Sequence, residues 1–118
     1  MRSTAENRRQ HKRYKIENSV AVSSHGIFQL IDISRGGFRF KCPPDTFVPD
    51  SWDTDILASA TSLEGVIAKR AWVSMAENGN NKRLPTVVGA KFGRLTKVQD
   101  TLLSQLIKAV SKGDDIEH

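Results

Sequence analysis

Apolar and polar residues alternate along much of the chain before residue 93. Between Phe38 and Cys42, for example, apolar side chains fall on every second position, with Arg39 and Lys41 between them. A two-residue period is typical of a β-strand with one buried face. This alternation, together with short runs of β-forming residues, predicts six strands, over residues 14–22, 27–33, 38–42, 55–60, 66–75 and 86–92.

Residues that favour turns separate the predicted strands. They form turns at 23–26 and 34–37, a loop over 43–53, a bend over 61–65 and a loop over 77–85. Six short strands joined in this way favour an antiparallel barrel or sandwich. We expect the barrel, because closure removes the exposed edges of a small sheet.

The pattern changes to a helical period near the end of the sequence. Apolar residues recur at spacings of three and four from Val98 to Val110, which predicts an amphipathic helix over residues 97–111. Thr96 and Gln99 fit a capping box at its start, and Gly113 is the expected C-terminal cap. Its polar face is not strongly basic, so we expect the helix to cover the barrel rather than to bind a membrane.

The positive charge is concentrated in the first residues. The net charge is +5, and residues 1–15 alone hold six Lys and Arg against one Glu, whereas the rest is balanced. Residues 1–13 also lack apolar periodicity, which predicts a flexible basic arm. Such an arm on a neutral body suits an anionic partner, and the alternative interpretation is a solvated tail.

Composition favours binding over catalysis. The 118 residues suffice for one domain, and the single cysteine, Cys42, excludes an internal disulfide and a cysteine-based zinc site. Cys42 alternates with Phe38 and Phe40, so we expect it to be buried. No histidine spacing fits a catalytic triad or a metal site, and no phosphate-binding loop or hydrolase motif is present. The sequence contains neither a secretory signal nor a transmembrane run, so a reducing cytoplasm is expected.

Two short motifs lie where they could form one site. Arg9 and Arg13 form an RxxxR spacing just before the first strand, and Asp32, Ser34 and Gly37 form a DxSxxG spacing at the turn after the second strand. Each is a weak signal alone. A basic tail often contains RxxxR by chance, and DxSxxG can be an ordinary turn.

Together, and at these positions, the motifs resemble the PilZ domain, a bacterial receptor module for cyclic di-GMP. Residues 66–75, with Ala71-Trp72-Val73, look like its fifth strand, and residues 87–92 look like its closing VGxxF strand. The resemblance covers residues 8–110. It implies a mainly β fold, a six-stranded antiparallel barrel with a C-terminal helix, and a non-enzymatic receptor without a cofactor. It also implies a domain over residues 8–112 between tails at 1–7 and 113–118.

The resemblance places ligand-binding residues in both motifs. An arginine fork matches the O6 and N7 acceptors of guanine and also pairs with phosphate, while a carboxylate accepts the N1–H and N2–H₂ donors. Ser34 is expected to donate to a phosphate or to pin the turn. Gly37 is expected to permit an unusual φ or a close approach of the ligand. The residues expected to bind cyclic di-GMP are Arg8, Arg9, Arg13, Asp32, Ser34 and Gly37.

Two residues carry further alternatives. Arg8 either stacks on a second, intercalated ligand or is a solvated charge. Trp72 either forms a wall of the site or, as we favour from sequence, belongs to the core. We expect the arm to be disordered without ligand and to close over cyclic di-GMP, so that the domain signals to a downstream protein. The rival hypotheses are a small barrel for single-stranded nucleic acid, disfavoured by few aromatic residues, and a PilZ-like adaptor that binds no ligand.

Overall fold

The described residues fold as an antiparallel β-structure followed by one long helix. The structure is a computed structural model, and it describes residues 11–59, 61–75 and 86–116. The helix, α1, spans Lys97–Ile116. The strands are β1 (Tyr14–Lys15), β2 (Val20–Ser23), β3 (Gly26–Ile33), β4 (Gly37–Cys42), β5 (Ser51–Leu57), β6 (Ser62–Met75) and β7 (Thr86–Phe92).

Six of the strands close into a barrel. Their order is β3-β2-β5-β6-β7-β4, every neighbouring pair is antiparallel, and the pairing of β3 with β4 completes the circle. The short β1 lies outside this circle and pairs with the end of β3 beyond β2. The predicted six-stranded antiparallel barrel with a C-terminal helix is therefore confirmed.

The inward-facing side chains of the strands form the core. In β4, Phe38 and Phe40 are buried and Arg39 between them is not, as the two-residue period predicts. Phe40 stacks on Phe28 at 5.2 Å and meets Trp52 edge-on at 6.1 Å between ring centroids. These aromatic contacts join β3, β4 and β5 across the barrel interior.

The first predicted strand is divided into β1 and β2. Hydrogen bonds to β3 continue on both sides of the break, from Ile16 N to Ile31 O and from Leu30 N to Ser19 O. Between them Asn18 adopts a left-handed φ of 57°, which asparagine tolerates better than most residues. Glu17 and Asn18, both exposed, therefore interrupt the strand, but β1 and β2 lie along the same edge of β3.

The prediction of residues 43–53 as a loop and 55–60 as a strand was wrong in its boundaries. Strand β5 begins at Ser51, because Trp52, Thr54 and Ile56 alternate into the core. The predicted bend over residues 61–65 is also displaced, since β6 already starts at Ser62. Gly65 lies in a β-bulge of that strand, with a φ of 63° and its N–H donating to Asp55 Oδ1 at 2.7 Å.

Helix α1 packs its apolar stripe on the barrel. Leu103 and Leu106 are fully buried, and the predicted capping box is present: Gln99 N–H donates to Thr96 Oγ1 and Thr96 N–H donates to Gln99 Oε1, both at 3.0 Å. The helix does not end at residue 111 with Gly113 as its cap, as predicted, but continues through Gly113 to Ile116, since one internal glycine weakens a helix by only about 1 kcal/mol. No helix in the described part of the chain combines the length and apolar character that a bilayer crossing requires.

Candidate functional site

The DxSxxG motif forms a tight turn between β3 and β4. The Ser34 hydroxyl accepts hydrogen bonds from the N–H groups of Gly36 and Gly37, at 3.1 and 3.2 Å, and lies 3.4 Å from the Gly37 carbonyl. The Ser34 N–H donates to that carbonyl at 2.8 Å. Of the two roles expected for Ser34, the structure shows the pinning of the turn, and donation to a phosphate stays a prediction.

Gly37 is required by the packing of two strands rather than by an unusual backbone angle. Its φ is not among the positive values, which belong to Gly26 and Gly65 among the described glycines, so the predicted φ requirement was wrong. A Cβ at Gly37 would overlap the carbonyl oxygen of Ala90 and lie 3.0 Å from Lys91 Cα. The close neighbour is therefore the backbone of β7.

Strand β1 brings Arg13, the second arginine of the RxxxR motif, towards this turn. Tyr14 pairs with Ile33 in antiparallel register, so Arg13 comes just before the pairing, beside Ser34. Next to it, His11 lies over the turn, with its ring 2.8 Å from where a Cβ of Gly36 would be. The described part of the predicted arm, residues 11–13, thus lies at the turn. Arg8 and Arg9 lie outside the described residues.

Four residues form a row across the outer face of the barrel, next to the turn. Asp32 of β3 pairs with Arg39 of β4, Arg39 pairs with Gly89 of β7, and Gly89 pairs with Trp72 of β6. Cross-strand partners share one face of a sheet. The row therefore places a carboxylate, a guanidinium, a gap without a side chain and an indole side by side.

Asp32 and Arg39 form an ion pair that leaves one carboxylate oxygen without a partner. Arg39 Nε donates to Asp32 Oδ2 at 2.8 Å, and Nη2 donates to the same oxygen. The Asp32 side chain is only 7% exposed, and its Oδ1 is buried with no hydrogen-bond partner among the described residues. The hydrogen bond to Asp32 raises the pKa of Arg39 above its ordinary value. The guanidinium is therefore a fixed positive charge.

Trp72 is a wall of the site and not a core residue, contrary to the sequence-based expectation. The residue is 37% exposed, and its indole packs over Gly89, where a Cβ would lie 2.5 Å from the indole nitrogen. Trp52 is the tryptophan in the core. Gly89 thus leaves room for the indole against β7, at the rim of the cleft.

These elements enclose a cleft of about 670 Å³. Its lining includes Arg13 before β1, the turn at Ser34, and the row from Asp32 to Trp72, together with Lys91 of β7. A volume of this size is within the range of small-molecule sites. Two of these lining residues, Arg39 and Lys91, were missed from sequence, although the alternation in β4 places Arg39 on the outer face.

The turn is also attached to the helix. Arg35, between Ser34 and Gly36, donates to Asp100 Oδ1 at 2.9 Å and to Ser104 Oγ at 2.8 Å. Asp100 lies in the first turn of α1. The side chains of this ion pair are 43% and 56% exposed, so the contact joins the turn to the helix but contributes little energy.

Among the described residues, neither a reactive thiol nor a metal-binding cluster lies at the cleft. Cys42 is buried, as predicted, and burial raises the pKa of its thiol, which disfavours the nucleophilic thiolate. Across residues 11–59, 61–75 and 86–116, no group of three or more His, Cys, Asp and Glu side chains is arranged to hold a metal ion. The described cleft therefore offers binding groups: cations, one acceptor and an aromatic surface.

Comparison with solved structures identifies the fold. The chain superimposes on the PilZ domain of YcgR from Escherichia coli, solved with c-di-GMP, with a TM-score of 0.69 and 13% identity over 93% of this chain and 96% of that one. It superimposes on MrkH of K. pneumonia in its c-di-GMP complex with a TM-score of 0.76 and 10% identity, over 93% of this chain and 55% of MrkH.

A third similar structure is an uncharacterised Legionella protein, with a TM-score of 0.62 and 13% identity over 88% of this chain and 98% of that one. No protein-family model and no curated protein sequence matches the chain. At these identities the likeness is one of fold. The architecture described above is that of PilZ domains.

Proposed function

We propose that this chain, whose fold is that of PilZ domains, is a non-enzymatic receptor for cyclic di-GMP. The observation that carries the proposal is the buried Asp32 oxygen, which has no hydrogen-bond partner among the described residues, at a cleft lined by cations and an indole. A buried acceptor left unpaired destabilises a protein by about 1–3 kcal/mol, which a ligand with matching donors removes. The solved complexes of YcgR and MrkH with c-di-GMP support this choice of ligand.

The charges of the cleft suit the two phosphates of a cyclic dinucleotide. Asp32 and Arg39 neutralise each other, so Arg13 and Lys91 give the described lining its net positive charge. Charge-assisted hydrogen bonds from such groups to phosphate are the stronger class of hydrogen bond. Arg13 is exposed beside the turn, so it can turn towards a ligand with little loss of packing.

The remaining groups suit a guanine base. The exposed part of the Trp72 indole offers a stacking surface, and Asp32 Oδ1 offers an acceptor in the same row. Guanine presents the N1–H and N2–H₂ donors that such an acceptor requires. We assign Arg9 to the guanine and phosphate contacts expected of the RxxxR motif, and Ser34 and Gly37 to the turn that shapes the site.

Calorimetric titration with cyclic di-GMP tests the proposal. The wild-type chain should bind, and Arg13→Ala should bind about 10- to 100-fold more weakly, as expected for the loss of a charged hydrogen bond. Arg94→Ala is the matched control, because it removes the same charge from an exposed residue outside the cleft lining. Absence of binding by the wild type, as for a ligand-free adaptor, or wild-type affinity in Arg13→Ala would overturn the assignment.

Two additions to the titration address the open alternatives. The stoichiometry decides whether Arg8 supports a second ligand: two molecules per chain should fall to one in Arg8→Ala. A single-stranded oligonucleotide should not displace cyclic di-GMP. Displacement at similar affinity would favour the nucleic-acid-binding barrel instead.

Signalling is proposed to proceed through the basic segment. In this proposal, ligand binding closes residues 8–13 over the cleft. The closed segment then presents a new surface to a downstream protein. Trypsin provides a direct assay, because it cleaves after Arg8, Arg9, Lys12 and Arg13. Saturating cyclic di-GMP should slow cleavage at these positions, and an unchanged cleavage rate at saturation would contradict the closure.

A further inference from the structure

Both N–H groups that Arg39 directs at Asp32 reach the same oxygen. Nε and Nη2 each donate to Oδ2. An arginine fork often spans the two oxygens of a carboxylate, one bond to each. Here the second oxygen, Oδ1, keeps its full acceptor capacity, with no partner in the described part of the chain.

The arrangement also fixes the orientation of the carboxylate. Asp32 and Arg39 are directly opposed on β3 and β4, and their side chains are 7% and 33% exposed. Rotation of the carboxylate would break two charge-assisted hydrogen bonds inside a largely buried environment. The oxygen that remains free is therefore held in one place.

We propose that Arg39 is a positioning residue that holds Asp32 with one oxygen free for the ligand, and that it thereby makes the cleft select guanine over adenine. This inference rests on the proposed function and deepens it. Arg39 acts through Asp32 and need not touch the ligand. The sequence motifs do not include it.

The selectivity follows from what a carboxylate can and cannot do. An ionised carboxylate only accepts hydrogen bonds. It matches the two adjacent donors of guanine, N1–H and N2–H₂, whereas adenine places the acceptor N1 beside its amino group. Without the two hydrogen bonds from Arg39, the carboxylate can rotate, so its free oxygen is no longer held where the two guanine donors require an acceptor, and the preference for guanine weakens.

The test compares cyclic di-GMP with cyclic di-AMP in wild type, Arg39→Gln and Arg39→Lys, by calorimetry. Gln removes the charge, and Lys retains it. The wild type should prefer cyclic di-GMP, and Arg39→Gln should reduce the affinity ratio by about 10-fold or more, since a charged hydrogen bond is of that order. Arg39→Lys should recover part of the ratio. If Arg39 had only a structural role, Arg39→Gln would weaken the binding of both ligands by the same factor, and that result would overturn the inference.

A double-mutant cycle keeps the test decisive if Arg39→Gln folds poorly. Asp32→Asn combined with Arg39→Gln removes both charges, so no buried charge is left uncompensated. If Arg39 acts through Asp32, the double variant and Asp32→Asn alone should show the same ligand ratio. If Arg39→Gln changes the ratio of the two ligand affinities as much in the Asp32→Asn background as in the wild type, the inference is refuted. Failure of the wild type to bind cyclic di-GMP would instead refute the proposed function.

Discussion

The substitution Gly37→Ala tests why the turn motif ends in glycine. Its Cβ would overlap backbone atoms of β7 at Ala90 and Lys91, which cannot move unless β4 separates from β7. Overpacking destabilises by about 1–3 kcal/mol. We expect the upper end, about 3 kcal/mol, because the obstacle is backbone rather than a flexible side chain. At about 4 °C per kcal/mol, the Tm should fall by roughly 12 °C.

Gly36→Ala is the matched control for this experiment. Its Cβ would come within 2.8 Å of the ring of His11, an exposed side chain that can swing away. We expect a loss of less than about 1 kcal/mol. Urea and thermal unfolding followed by circular dichroism measure both variants. If Gly37→Ala were within about 0.5 kcal/mol of wild type, the close-packing explanation would be refuted.

Three further outcomes are expected. Cys42 should react with iodoacetamide only when urea unfolds the chain, because the thiol is buried and burial raises its pKa. If Cys42 in the folded protein reacted as fast as an exposed free thiol, this expectation would be contradicted. Thr96→Ala should lower the free energy of unfolding by about 1 kcal/mol through loss of the helix cap, and no change in urea unfolding would argue against the cap. Arg35→Ala should cost no more than about 1 kcal/mol but speed hydrogen exchange in the first turn of α1, whereas Arg70→Ala, at another exposed ion pair, should leave those amides unchanged.

The barrel could be predicted from sequence because its signals are local. Alternation in β4 identifies the buried Phe38 and Phe40, and the Thr96–Gln99 box marks the start of the helix. Where the signals conflict, the prediction was wrong. Gly65 indicates a turn in the sequence, but in the structure the long pairing of β5 with β6 absorbs it as a bulge.

The site was predicted less completely, because its row depends on register between distant strands. Asp32 and Ser34 were named from a motif, whereas Arg39 and Trp72 join the site only through the pairing of β4, β7 and β6. Trp72 could not be separated from a core residue by its neighbours in sequence. What decides its position is Gly89, on another strand, which leaves room for the indole.

The alternation of β4 has a consequence for how such a chain can diverge. Phe38 and Phe40 fill the interior and Arg39 between them lines the cleft, so core positions and cleft positions alternate along this strand. A substitution at a cleft-facing position can therefore change which ligand groups the cleft binds and leave the core packing intact. A single-residue insertion or deletion that the strand does not absorb as a bulge would exchange the two faces and disrupt both the core and the cleft, because the period of a strand is two. Relatives that evolve new ligands from this scaffold should therefore differ in this strand by replacement and keep its length.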